Sequence, residues 1–553
     1  MMGRISISWS VATGRPTVSA LLSVVAMLVS ICLAPPAGAA VFSVNDTGDA
    51  DDASPGNGVC ATPGGVCTLR AAVREANALG GADTINIPPG TFLLTIDGDD
   101  ESNAVTGDLD IEADLTIVGS GISATILDAN GLERMFEVTN GTVSISDLTI
   151  QGGDVRFPIG SGGGIKALSG TNLTMTDVVV QNNLANTGGG LAVDGTITMV
   201  DVTIDNNTAD ESAGGVRIST SGNGTLTAVT ISNNDALSSN GGGILQEGTS
   251  LIATNVTISG NTSANRGGGL YDTSSATLQN VTIRNNSASG RGGGFEVFGG
   301  SLTLRNTLVA GNTAPQSPDV RGTVTSLGNN LIGNSSGGAG FVASDILDVA
   351  PSLGGLADNG GPTQTHALLA GSRGIDEGTG TGGPPTDQRG VSRPLDGDGD
   401  TIATYDIGAY EYEGPIILQK RAFQYDGTPI PEGATIPDGL LFHFLLYINN
   451  FGPARTDISI QDVLDPAFAY QTGTLRVDNS VSSCAAACTP VEEAAVFAAV
   501  SGTAPLTDSV DGDVISYTVA SSTVDAGNES VANGQLDIAT GRVWALLFSA
   551  KLQ

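Results

Sequence analysis

Few groups in this sequence could do chemistry, and their spacing limits what that chemistry is. The run Asp396-Gly397-Asp398-Gly399-Asp400, with Asp406 beyond it, puts carboxylates at alternate positions of a glycine-rich loop. Hard oxygen ligands spaced this way can converge on one Ca²⁺, and the first three match the start of an EF-hand loop. An EF-hand closes with Glu at its twelfth position, where Ile407 stands. The expectation is therefore a structural Ca²⁺ site of another kind, held by Asp396, Asp398, Asp400 and Asp406, with a solvated acidic turn as the alternative. A second acidic stretch, Asp46, Asp49, Asp51 and Asp52, reads as a flexible acidic loop, with Ca²⁺ binding as the alternative.

A third set is scattered along the chain but shares a position. Lys166, Arg217, Tyr271 and Glu296 each follow the last Gly of a glycine cluster by two residues. Equivalent positions in repeated strands project from the same face, so the four are expected to line one outer face, with Asp194, Glu247 and Asp272 nearby. Arg266 and Arg291 occupy equivalent places in neighbouring repeats. Lys166, Arg217, Glu247, Tyr271, Asp272 and Glu296 are the ligand-binding candidates; the alternative is a mixed solvated face. No catalytic residue is assigned. The two histidines, His366 and His443, fall in different segments, and no Ser/His/Asp set, phosphate loop or cofactor fingerprint can be assembled.

What must position these residues is a repeat. From about Asp147 to Asn312 the chain cycles through phrases such as NVTIRNN followed by GGGF. The last apolar residue of each run falls at Ile150, Val180, Ile204, Ile231, Ile258, Ile283 and Val309, roughly every 26 residues. Short runs alternating apolar and polar residues at such a period signal a solenoid whose units bury their apolar faces only by stacking. Each unit is expected to be one coil of a right-handed parallel β-helix, with strands about 4.8 Å apart and roughly ten coils in all. The second Asn of each pair recurs at Asn183, Asn207, Asn234, Asn261, Asn286 and Asn312, which suits an internal amide ladder. The glycine triplets suit corners, where backbone angles closed to other residues are needed.

Composition agrees. Gly is 78 of 553 residues and aromatics are 4 %, which fits turns and small stacked side chains; no three-residue period marks collagen. The formal charge of −35 argues against nucleic acid or anionic lipid as partner. Residues 1–40 read as a secretory signal peptide: Arg4 and Arg15, the apolar run Val18 to Ala34, then Ala37-Gly38-Ala39. No later run is long and apolar enough to span a bilayer. The remaining cysteines fall into two close pairs. In an exported chain these read as the local disulfides Cys60–Cys67 and Cys484–Cys488, with zinc the weaker alternative because no His lies near either pair.

Three segments carry resemblances. CTLRAAVREANALGGADTINIPPGTF, from Cys67, resembles the CSLREA module of exported β-helix proteins, with Thr68 for Ser and Ala71 for Glu. LADNGGPTQTHALLAGSRGIDEG and DIGAYEY resemble the closing region of the choice-of-anchor Q family, which implies a surface β-helix. Leu440 to Gly473 is similar to DUF11-type Ig-like surface repeats. The expected layout is a signal peptide (1–40), a cap with a helix started by Thr68 (41–85), a β-helix (86–345), a closing segment (346–414) and an Ig-like β-sandwich (415–553). The expected function is that of a secreted or cell-surface protein, non-catalytic, acting in adhesion or glycan binding. A polysaccharide lyase or glycoside hydrolase of the pectate-lyase-like type is the alternative, since the fold also hosts such enzymes.

Overall fold

The structure is a computed structural model that describes residues 5–9 and 38–553, except 99–102, 158–159, 399, 401, 415, 432, 451–457, 485–487, 510–512, 528–532 and 540. Most of the expected signal peptide thus lies outside the described residues. The chain forms two compact units. The larger comprises Ser30–Pro394 and Thr404–Tyr412; the smaller gathers Met1–Val29, Leu395–Ala403 and Glu413–Gln553.

In the larger unit, the alternating runs stack in parallel register. One column passes through Phe42, Ile85, Ile117, Ile145, Met175, Met199, Leu226, Ala253, Leu278 and Leu304. A second passes through Ile150, Val180, Ile204, Ile231, Ile258, Ile283 and Val309, the register anticipated from the repeat. These columns are buried and form one continuous apolar core. A third, short sheet starts with Asp154–Val155 and Leu184–Thr187 and is lined inside by small residues, Ala185, Ala209, Ala236 and Ala288.

The solenoid begins earlier than the repeat suggests. Val41–Ser43 already pairs in parallel with Thr84–Asn86, so the cap is an excursion between the first two coil strands. Within it, helix α1 (Leu69–Leu79) starts at Thr68, whose side chain accepts a hydrogen bond from Ala71 N, an N-cap that satisfies one free backbone donor. Leu69, Val73 and Ala76 are buried, and the Cys60–Cys67 disulfide, with Cα atoms 5.2 Å apart, ties the loop before α1.

The acidic loop of the cap is not flexible, contrary to expectation. Asp49 accepts from Arg70 Nε at 2.6 Å and from the amides of Thr95 and Ile96, while Asp51 pairs with Arg74 at 2.9 Å. Arg70 is among the largest fully buried side chains of the protein. A buried guanidinium must be paired and hydrogen-bonded; Asp49 pairs with it, and the carbonyls of Ala104 and Gly107 accept its remaining N–H groups at 3.0 and 2.8 Å.

The closing segment turns back along the larger unit. The antiparallel pair Leu353–Ala357 and Thr365–Leu368 brings His366 onto Ser259 at 2.9 Å. Gln388 meets Thr257 and Thr230 at 2.7 and 2.9 Å, and Asn255 donates to Thr386 O.

The smaller unit consists mainly of antiparallel sheets, as a sandwich requires. Ile416–Gln424, Leu441–Asn450 and Arg542–Leu552 pair in that order, and Phe468–Tyr470 and Arg476–Asp478 both pair with Arg542–Leu552. The second sheet joins Ile5–Trp9, Ile458–Val463, Thr523–Ala526 and Ile515–Thr518. Helix α2 (Pro490–Ser501) interrupts this plan. It was not anticipated from the sequence; it starts at Thr489, which forms a capping box with Glu492, and the Cys484–Cys488 disulfide precedes it. Among the described residues no helix is long and apolar enough to cross a membrane.

Candidate ligand-binding face

The residues that alternate away from the core in one solenoid sheet form a ladder, of which Asp110, Ala192, Leu245, Tyr271 and Glu296 are themselves covered by neighbouring side chains and buried. Asp110 pairs in register with Glu137, Glu137 with Lys166, Lys166 with Ala192, and Ala192 with Arg217. The column continues through Leu245, Tyr271, Glu296 and Arg321. Four of the six ligand-binding candidates, Lys166, Arg217, Tyr271 and Glu296, therefore occupy one line along the solenoid, one per coil. Glu247 joins them through a 3.0 Å ion pair with Arg217. Asp194 receives a hydrogen bond from Ser219 Oγ.

Asp272 does not belong to this face. It lies one residue beyond Tyr271, in the inward column with Val193, Ile218, Gln246 and Val297, and is 0 % exposed. Burial raises its pKa, opposed by a hydrogen bond from Ser274 N. Alternation puts consecutive strand residues on opposite faces, which removes Asp272 from the ligand-binding set.

Two clusters stand out along the ladder. Near its start, Asp108, Asp110 and Glu137 bring carboxylate oxygens within 4.8 Å of one another. Arg134 Nη1 bridges Asp108 and Glu137 at 2.6 Å each, and Lys166 Nζ holds the other oxygen of Glu137 at 2.8 Å. Burial pushes the Asp108 carboxyl up to about 6, against the pull of Arg134. Asp108, Asp110 and Arg134 are buried, so the cluster is largely an internally compensated charge network. Glu137 and Asp110 were missed in the sequence. The usable signal was their place one and two repeats upstream of Lys166, blurred because the early coils lack glycine triplets.

The second cluster surrounds Tyr271. Phe298, 53 % exposed, stacks on the Tyr271 ring with centroids 6.2 Å apart. The Arg266 guanidinium sits 5.1 Å from the Phe298 centroid, within cation–π range. Arg266 and Arg291 are bridged in register at adjacent corners. Arg291 Nε grips both Glu296 oxygens at 3.0 and 3.1 Å, while Arg266 approaches Glu296 only to 3.9 Å. Phe298 was not singled out in the sequence, because an exposed aromatic after a strand has no periodic mark.

The expected cation set comprises Asp406 and the Asp396–Asp398–Asp400 run. Asp406 is buried in the closing segment, where it accepts from Asp376 N at 2.7 Å and from Tyr412 N. Burial and the neighbouring Glu411 raise its pKa well above the usual carboxylate range. Asp396, Asp398 and Asp400 lie in the stretch Leu395–Ala403, assigned to the smaller unit. There Asp398 accepts from Asp400 N and Asp400 from Ile402 N, at 3.0 and 2.8 Å. His366 is likewise structural, its two ring nitrogens engaged by Ser259 and Gly354 O at 2.9 Å. His443 meets Ser549 at 2.9 Å in the smaller unit.

A family model described as a right handed beta helix region matches residues 135–314. The solenoid is a right-handed parallel β-helix. No curated protein matches the sequence. Among solved structures, the chain is similar to pectate lyase Pel9A, with 14 % identity over 68 % of this chain and 98 % of that one, at a TM-score of 0.38. The A-module of the mannuronan C-5 epimerase AlgE6 of Azotobacter vinelandii aligns with 15 % identity over 50 % of this chain and 91 % of that one, at 0.24. The enzymatically active domain of tailspike protein 4 of bacteriophage CBA120 aligns with 12 % identity over 88 % and 64 %, at 0.26. These likenesses carry no argument about activity or substrate.

Proposed function

We propose that the chain is an exported, non-catalytic β-helix that binds a glycan along the Lys166–Arg321 ladder, as a secreted or cell-surface adhesion protein. The observation that carries this is the division of labour between repeated and varied residues. The repeated residues fill the core and corners, while those that change from coil to coil stand on one outer line, with an exposed aromatic ring upon it. Aromatic faces beside hydrogen-bonding charges suit sugar rings, which present apolar faces and polar edges. The test is a glycan screen on the full chain, followed by Phe298→Ala. Glycan binding that weakens about tenfold in the variant, with an unchanged melt, supports the proposal; no glycan binding at all sinks it.

One observation favours the enzymatic alternative. Three carboxylates, an Arg and a Lys converge at Asp108, Asp110, Glu137, Arg134 and Lys166, and a carboxyl raised to about 6 is the kind of group an acid catalyst uses. Sustained release of unsaturated or reducing ends from polysaccharides, abolished by Glu137→Gln, would replace the binding role by a lyase or hydrolase. For the Asp396–Asp398–Asp400 loop we propose structural Ca²⁺. It predicts a melting midpoint that falls on chelation and returns with Ca²⁺; an unchanged midpoint counts against it.

A further inference from the structure

Glycan binding leaves the sugar class open, and charge along the ladder narrows it. The protein carries 22 basic against 57 acidic residues, yet the line inverts this balance between Arg217 and Arg321. Four guanidiniums, of Arg217, Arg266, Arg291 and Arg321, face two carboxylates, of Glu247 and Glu296. Asp272, next to Tyr271, is turned inside. Arg217 is neutralised by Glu247 and Arg291 by Glu296. Arg266 approaches Glu296 only to 3.9 Å, its other contacts being the uncharged Phe298 ring and Tyr271, and Arg321, beside Glu296 in the ladder, forms no ion pair among the described residues. Arg266 thus lies over the exposed Phe298 ring without a close carboxylate, and Arg321 stands one coil further along the ladder.

Arg is suited to planar bidentate recognition of oxyanions. At physiological salt, charges beyond about 8 Å are largely screened, so a ligand on this patch meets the local guanidiniums more than the net charge. We infer that the Tyr271–Phe298 platform, with Arg266 and Arg321, binds an anionic sugar unit. The ring would rest on Phe298, and its carboxylate or sulfate would meet the guanidiniums. This rests on the glycan-binding role proposed above and names the class of glycan.

Glu296 then has a definite sign. It is an internal anion that competes with the ligand for Arg266 and Arg291. Its neutralisation should strengthen anionic binding, whereas loss of a purely structural or sugar-contacting carboxylate would weaken binding or leave it unchanged.

The experiment titrates the full chain with three oligosaccharides of similar length: a uronate oligomer, a sulfated glycosaminoglycan fragment and a neutral β-glucan. The expected result is anionic binding about tenfold tighter than neutral. Arg266→Gln and Arg321→Gln should each weaken it severalfold, and Glu296→Gln should strengthen it. The stronger of the two anionic arms separates carboxylate from sulfate as the recognised group. Equal affinity for all three sugars would overturn the anionic assignment and leave glycan binding standing. Anionic binding indifferent to both Arg variants would overturn the site, and absence of any binding would overturn both. Arg321, half-buried and without an ion pair among the described residues, keeps the test readable if Glu296→Gln fails to fold.

Discussion

Each Asn-Asn pair does two different jobs. The second Asn is internal: Asn234 Nδ2 donates to Ile204 O at 3.0 Å and to Asn261 Oδ1 at 2.9 Å, while its own Oδ1 accepts from Asn207 N and Asn207 Nδ2 at 3.0 Å. The first Asn holds a left-handed backbone, with φ of 56°, 54°, 54° and 58° at Asn182, Asn206, Asn233 and Asn285. Gly260 and Gly311 take that place in other coils, at φ 70° and 73°. Only Gly, and to a lesser extent Asn and Asp, accept this geometry readily. Asn234→Ala should strand several buried donors and acceptors, each worth about 1–3 kcal/mol, and so cost at least about 3 kcal/mol in denaturant titration. Asn233→Gly should change stability by less than about 1 kcal/mol, because relief of the left-handed penalty offsets the added chain entropy. The ladder was legible in the sequence because it recurs. The left-handed turn was not, since its mark is the exchange of Asn for Gly between coils.

At the scale of one corner, the triplet Gly241-Gly242-Gly243 separates two requirements. Gly241 needs the left-handed region, at φ 72°, and a Cβ there would come within 2.7 Å of Ile244 O in its own coil, yet Ala213 stands at the equivalent place with φ 61°. Gly242 instead needs the absence of a side chain. A Cβ there would meet Gly268 O and Thr262 O, both at 2.4 Å, on the next coil. Gly241→Ala should therefore cost about 1–2 kcal/mol. Gly242→Ala must push neighbouring backbones apart and break bonds such as Gly242 N to Gly267 O, 3.1 Å. Limited proteolysis should detect a new cut near this corner in Gly242→Ala and none in Gly241→Ala; equal susceptibility would mean the crowding is absorbed. Corners were readable from composition, but which glycine is there for space depends on a carbonyl 26 residues away in sequence. Asp272 failed for a related reason. Its type suggested a surface, and only the pairing register, which sets Asp272 beside Gln246 and Val297 and Tyr271 beside Leu245 and Glu296, shows that Tyr271 is the one that points away from the core.

For the larger unit as a whole, the closing segment sets how stability responds to pH. The phrases NGGPTQTHALL and DIGAYEY were visible as a break in the period, but the partners of His366 and Gln388 lie more than 100 residues upstream and carry no local mark. His366 is buried. Its Nδ1 donates to Gly354 O, so Nε2 is left to accept from Ser259 Oγ. Burial, aided by the positive charge of Arg284, lowers its pKa to about 4. The unfolded chain binds this proton near pH 6.5, so the stability that depends on neutral His366 is complete above 6.5. It is lost progressively as pH falls toward 4, by roughly 3 kcal/mol in all. Asp108 acts in the opposite sense. Its carboxyl is raised to about 6, so its charged form opposes folding above pH 6, and that opposition is relieved on acidification. The two contributions offset each other in the unmodified protein, which should show little net slope from them between pH 6 and 4. Comparison with His366→Gln isolates one of them, because Asp108 is common to both. The variant should be less stable at pH 7, and its deficit should shrink by roughly 3 kcal/mol by pH 4, measured by urea unfolding at each pH. A deficit that stays constant across this range would mean that His366 does not charge on unfolding, and that the closing segment is held by its hydroxyl and amide contacts alone.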